Sequence, residues 1–343
     1  MNKIKVLVVD DSRLFREMIS RFLNGYPDIQ VVAAAGDAFQ ARDMILRFEP
    51  DVMTLDVEMP RMNGIDFLRR LMPQYPIPTV MVSALNATVF DAMKAGAVDF
   101  VNKPVQSSPD DIGKWVQGEL VPKIRAAAAA QVGQRERRPV KQVVSGGGEF
   151  HNKVLAIGAS TGGTEAISDV VTNFHTDIPG TVIVQHMPPK FTEMYAERLD
   201  KECEVVVREA KDGDLVEKGK ILVAPGDKQM RLMRTGDTYR VEVRPGAKVS
   251  GHCPSVDVLF ESVAKAAGRN AVGVILTGMG ADGAKGLLAM RKAGARTIGQ
   301  NEATCVVYGM PKVAYDIGAV EKQVPLEYVA NTVYNVLRSS FTQ

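Results

Sequence analysis

Five polar groups stand just beyond the ends of four apolar runs in the first third of the chain. Asp10 and Asp11 follow the run 4–9, Asp56 follows 52–55, Ser83 follows 79–82, and Lys103 follows 98–101. If the runs are parallel strands, all five groups share one edge of one sheet. Three converging carboxylates repel one another unless a divalent cation sits among them. A hydroxyl and an ammonium beside them suit an added anion. This is the chemistry of an aspartate that accepts a phosphoryl group. Mg²⁺ held by Asp11 and Asp56, with Asp10 beside them or bound directly, would offset the charge of both reactants, while Lys103 and Ser83 engage the phosphoryl oxygens. Helix capping explains any one acid, as at Asp11-Ser12 or Asp37, but not a complementary set at four strand ends.

A second set of reactive types occupies the other half. The run 154–157 leads into Gly158-Ala-Ser160-Thr-Gly162-Gly163 ahead of a helical pattern. Gly-x-Ser-x-Gly at such a turn exposes a hydroxyl beside the N–H groups of a helix start, although a glycine-rich turn there can equally cradle a phosphate. The run 181–185 ends at His186, followed by Met187-Pro188-Pro189, which puts an imidazole at the edge where open parallel sheets build sites. After 272–277 comes Gly278-Met-Gly280-Ala-Asp282-Gly283. Asp282 would hold the histidine in one tautomer, and the order Ser, His, Asp is no objection, since convergent triads are defined by geometry. The same segment also satisfies the dinucleotide pattern, with Glu302 about twenty residues on, but Asp282 would place a carboxylate where a pyrophosphate must bind. His252-Cys253 is a poor nucleophile pair, because adjacent residues of an extended chain point apart. His252 is therefore read as lining a pocket or contacting a loop.

Apolar runs of 4–6 residues alternating with amphipathic stretches predict α/β architecture, two doubly wound parallel-sheet domains. The first is flavodoxin-like, and the second is a larger Rossmann-like sheet of the α/β hydrolase type. Strands are expected at 4–9, 29–34, 51–55, 79–82 and 98–101, then at 154–158, 181–185, 204–208, 220–224, 239–243, 272–277 and 296–299. Helices are expected near 12–23, 38–48, 64–72, 87–95 and 109–125, then near 164–174, 191–200, 256–267, 283–293, 310–315 and 326–338. Between them the pattern fails: an alanine run, which could extend the preceding helix, gives way to a Gly/Pro/Arg-rich stretch, the signature of a flexible tether. The expected division is thus 1–125, a linker over 126–150, and 151–343.

The totals agree. A chain of 343 residues, 45% hydrophobic and 24% charged, has room for two cores. A net charge of +2 provides no field to gather nucleic acid or an anionic membrane. Three cysteines without metal-type spacing fit reduced thiols in a cytosol. The short apolar start is no signal-peptide core, and no apolar stretch spans a bilayer. A soluble cytoplasmic protein without membrane insertion is expected.

Asp10-Asp11, Asp56-Val-Glu-Met-Pro60 with Asn63-Gly64, Ser83-Ala84 and Lys103-Pro104 together resemble the receiver domain of response regulators. The resemblance implies that Asp56 is the phosphoacceptor, that the Glu58 carbonyl completes the metal shell, and that a chemotaxis histidine kinase donates the phosphate. Phe100 stands where the family's switch tyrosine would be. The second half resembles the catalytic domain of the chemotaxis protein-glutamate methylesterases. The carriers are Ile157-Gly-Ala-Ser-Thr-Gly-Gly163, Gln185-His-Met-Pro188, Pro225-Gly226, His252-x-Pro-Ser-Val-Asp257 and Leu276-Thr-Gly-Met-Gly-x-Asp-Gly283. This resemblance implies a catalytic triad of Ser160, His186 and Asp282 and an oxyanion site that includes the N–H of Met279. It also implies, as substrates, methylated glutamates on the cytoplasmic helices of chemoreceptors, with some glutamines deamidated. Hydrolysis needs no cofactor on this reading, and backbone N–H groups near Thr161 and Met279 receive the oxyanion. The tether suggests that the unphosphorylated receiver covers the catalytic cleft until Asp56 carries a phosphoryl group.

Overall fold

The computed structural model describes residues 3–83, 88–104, 108–133, 150 and 152–339. The chain forms two compact units, Met1–Glu136 and Arg137–Gln343. The first alternates β1 (Ile4–Val9), α1 (Arg13–Leu23), β2 (Ile29–Ala35), α2 (Ala38–Phe48), β3 (Val52–Asp56), α3 (Gly64–Leu71), β4 (Thr79–Ser83), α4 (Val89–Lys94), β5 (Asp99–Asn102), α5 (Pro109–Trp115) and α6 (Val121–Ala128). Its five strands are parallel in the order β2-β1-β3-β4-β5. β3 and β4 are buried along their whole length, which is why they read as unbroken apolar runs rather than alternating ones. Short polar side chains start the helices: Ser12, Asp37 and Asn63 each accept an N–H of the first turn.

The second unit comprises β6 (Val154–Ala159), α7 (Gly163–Val171), β7 (Gly180–Gln185), α8 (Phe191–Glu202), β8 (Val206–Glu209), β9 (Lys220–Val223), β10 (Lys228–Thr235), β11 (Thr238–Pro245), α9 (Val256–Ala266), β12 (Ala271–Ile275), α10 (Ala284–Lys292), β13 (Arg296–Gln300), α11 (Met310–Asp316), β14 (Lys322–Val324) and α12 (Val329–Ser339). Seven strands form a parallel sheet in the order β14-β13-β12-β6-β7-β9-β8. β6, β7 and β12 are completely buried. No helix among the described residues is long and apolar enough to cross a membrane.

Two differences from the sequence reading have physical causes. Residues 239–243 are not a sheet strand in a βα repeat but part of β11, paired antiparallel with β10, which was not foreseen. Met230 and Leu232 face inward while Arg231 and Met233 face out, and Gly236 turns the hairpin at φ 60°. That alternation was diluted by charge. β14 is short and half exposed, leaving no apolar run to detect. The helix expected near 109–125 runs through a π-helical turn (Val116–Leu120) and α6 and is extended by the alanines, and most of the expected tether, residues 134–149, lies outside the described residues.

Candidate functional sites

In the second unit, strand order decides what can meet. β6 lies between β12 and β7, so the turn after β6 is flanked by the turns after both neighbours. Ser160 opens that turn, its N–H donating to Thr277 O at 3.0 Å, while the His186 N–H donates to Ala159 O at 3.3 Å. Gly162 continues the turn at φ 74°, where a Cβ would lie 2.4 Å from Val306, so only glycine fits. The Gly278 backbone approaches so closely that an added Cβ would sit 2.8 Å from Ser160 Cβ.

His186 and Asp282 form a buried pair, Nε2 to Oδ2 at 2.7 Å. Asp282 also accepts from Ser255 Oγ at 2.7 Å, Val256 N at 2.7 Å and Asp257 N at 3.1 Å. The carboxylate thus caps the N-terminus of α9, where the helix dipole favours an anion. Burial raises its pKa, but the hydrogen bond and charge of His186, with those of Ser255 and Val256, outweigh burial and hold it below the ordinary range. An acceptor on Oδ2 requires the proton on Nε2, leaving Nδ1 as the basic nitrogen. His186 Nδ1 is buried and has no hydrogen-bond partner among the described residues. The ring of His252 stacks on His186, centroids 3.6 Å apart and planes within 9°.

Thr161 is buried, and its carbonyl accepts from Thr277 Oγ1 at 3.0 Å. Met279 is 41% exposed, and the Gly278 carbonyl before it accepts the N–H groups of Gly309 at 3.1 Å and Met310 at 2.8 Å. Asp257 accepts from Gly286 N at 2.8 Å and Ser250 Oγ at 3.3 Å. Sequence reasoning missed the roles of Ser255, Gln229, Thr277 and the segment 307–310. Only Ser255 carried a legible signal, a helix-capping residue ahead of an apolar run.

The first unit gathers its acids similarly. Carboxylate oxygens of Asp10, Asp11 and Asp56 all lie within 4.8 Å of one another. Lys103 Nζ donates to Asp10 Oδ2 at 2.7 Å and Asp56 Oδ2 at 2.6 Å. Burial, with the Asp56 charge, lifts the Asp10 carboxyl from 3.8 to about 6 despite Lys103. Burial alone would lower the Lys103 ammonium, but the two carboxylates raise it. Ser83 ends β4, is buried, and its carbonyl accepts the Lys103 N–H at 2.7 Å, while its sequence neighbour Ala84 lies outside the described residues. The Glu58 N–H donates to Asp56 Oδ1 at 3.2 Å, and Asp11, Glu58 and Asn63 help line a cavity of about 620 Å³. Gly64 is obligatory here, since a Cβ would stand 2.0 Å from Asp56 O. Phe100 is buried, edge-on to Phe90 at 6.4 Å.

Fold and sites together define a two-unit signalling enzyme of the α/β class. Residues 155–333 match the CheB methylesterase family and residues 6–114 the response regulator receiver domain, and the chain belongs to the CheB methylesterase family. The protein-glutamate methylesterase/protein-glutamine glutaminase 2 of Syntrophomonas wolfei is 59% identical, over 98% of both chains. The protein-glutamate methylesterase/protein-glutamine glutaminase of Salmonella typhimurium is 49% identical over 96% of both. The crystal structure of the Thermotoga maritima CheB methylesterase catalytic domain covers 54% of this chain and 98% of its own, at 34% identity and a TM-score of 0.53.

Proposed function

We propose that the second unit hydrolyses the γ-methyl esters of glutamate side chains on chemoreceptor cytoplasmic helices, and deamidates selected glutamines there, through Ser160, His186 and Asp282. The work belongs to adaptation in bacterial chemotaxis and is cytoplasmic. The carrying observation is the buried His186–Asp282 pair beside the Ser160 turn, with Nδ1 left as the unpartnered basic nitrogen. Ser160 Oγ attacks the ester carbonyl as Nδ1 takes its proton, and Asp282 stabilises the imidazolium. The N–H groups of Thr161 and Met279 receive the oxyanion, about 10²–10³ in rate per donor. The proton passes to the departing methanol, or ammonia from glutamine, and water then releases the glutamate by the same relay.

The first unit is the switch, with Asp56 as phosphoacceptor, Lys103 and Ser83 as phosphoryl contacts and a chemotaxis histidine kinase as donor. The oxygen-only donor set fits a hard cation, and Asp10, Asp11, Asp56 and the Glu58 carbonyl would hold Mg²⁺. When bound, it supplies positive charge that Lys103 alone does not.

The test is a serine-directed phosphonate together with methanol release from methyl-labelled receptor membranes. Ser160→Ala should abolish both labelling and release while Asp56 still accepts phosphate. Retained release by that variant rejects the assignment.

A further inference from the structure

Among the described residues, the His186 ring has a single side-chain hydrogen bond to fix it, through Nε2 to Asp282. One bond leaves the imidazole free to librate about that axis, yet a base must be aimed within roughly 10–20°. The face of the ring is where further restraint can come from, and His252 covers it. His252 closes a tight turn in which Ser250 and Gly251 have φ of 52° and 85°. Val249 and His252 exchange backbone hydrogen bonds of 2.9 Å, the Asp227 N–H donates to Cys253 O at 3.2 Å, and the hairpin adds a further anchor. Gln229 on β10 is 1% exposed. Its Nε2 donates to Ala247 O at 2.9 Å and His252 O at 3.4 Å, and its Oε1 accepts the Ser255 N–H at 2.9 Å. Ser255 is the residue whose hydroxyl holds Asp282. The hairpin is in turn strapped to α9, with the Leu232 N–H on Ser262 Oγ at 2.8 Å.

We infer that Gln229 and His252 are positioning residues for the catalytic base, the hairpin amide fixing both the ring that stacks on His186 and the serine that holds Asp282. The inference rests on the triad reading. The hairpin stands outside the seven-stranded sheet, yet through one buried side chain it bonds a neighbour of each member of the pair, His252 beside His186 and Ser255 beside Asp282.

The experiment measures kcat and KM of the full chain on methyl-labelled receptor membranes, and the rate at which a small fluorophosphonate labels Ser160. His252→Ala should lower kcat and labelling rate about tenfold with KM nearly unchanged, the scale of a misaimed group. His252→Phe, which keeps a flat ring, should recover most of that loss. Gln229→Leu should lower kcat similarly, and the Gln229→Leu/His252→Ala pair should fall short of the product of the two effects, because both act through one ring. If Gln229→Leu unfolds, Gln229→Glu, which keeps the acceptor and loses the donors, takes its place. Unchanged kcat in His252→Ala, a change confined to KM, or a His252→Phe variant as slow as His252→Ala overturns the inference. Such a result alongside an inactive Ser160→Ala removes the positioning role alone, whereas an active Ser160→Ala removes the triad reading beneath it.

Discussion

Asp56 and Asp282 have matching addresses, each at the carboxyl edge of a buried parallel sheet, and opposite electrostatic surroundings. Asp282 is saturated, with a histidine, a serine hydroxyl and two helix N–H groups donating to its oxygens. The Asp56 cluster is under-compensated: the Lys103 ammonium bonds Asp10 and Asp56 with the Asp11 carboxylate close by, and Asp10 is pushed up to about 6. A saturated carboxylate is a fixed charge that orients a base and does not react. An under-compensated cluster suits the proposed switch: on that reading it would take positive charge first and then a phosphoryl group engaged by Lys103 and Ser83. One architecture thus holds two carboxylate sites of opposite surroundings, and the difference lies in how many donors the fold supplies.

The contrast can be broken or sharpened in order of expected effect. Asp282→Asn should lower kcat by about 10⁴, because an amide nitrogen set among donors favours the wrong histidine tautomer. Steady-state methanol release checks this, and a loss under tenfold would deny Asp282 its orienting role. Asp56→Asn should keep the basal rate but lose all stimulation by a small-molecule phosphodonor, read in the same assay. Next is the cation. Trp115 is the single tryptophan of the sequence and lies in the first unit, so its fluorescence follows that unit's unfolding. Saturating Mg²⁺ should raise the melting midpoint relative to EDTA, by about 2.7 kcal/mol of stability at a hundredfold excess over Kd. Asp11→Ala should remove most of that rise.

The smallest effect is on pH. The folded unit keeps a proton on Asp10 up to about 6, whereas the unfolded chain releases it near 3.8. Between those values the folded state binds more protons, so stability falls as pH rises. In EDTA the Trp115 midpoint should therefore rise by a few degrees from pH 7 to pH 5. Asp10→Asn should flatten that slope. Asp28, Asp37 and Asp111, held below the ordinary range by hydrogen-bond partners, act in the opposite sense and only as pH drops below 3.8. Hydrolysis in the second unit should show no matching dependence on the Asp10 substitution.

Much of this was legible because parallel strands buried on both faces leave continuous apolar runs, and the residues ending those runs fall on one edge. That logic located Asp10, Asp56, Ser83, Lys103, Ser160 and His186 near their observed places. It failed where signals are weak. The charged exterior of β10 hid its alternation, and β14 is too short and exposed to leave a run. The role of Gln229 was invisible, since a glutamine in a polar stretch has no pattern until its amide is seen to bridge Ala247, His252 and Ser255.

The sequence by itself determined the two α/β units, the residue types at each strand end and hence the two chemistries available, because periodicity and turn residues are local properties of the chain. Tertiary structure alone decided the order β12-β6-β7 that sets the Ser160 turn between the two turns after its neighbouring strands, the pairing of His186 with Asp282, the face of imidazole that His252 covers, and the helix start that steadies Asp282. These rest on contacts between residues far apart in the chain, which local propensity does not encode.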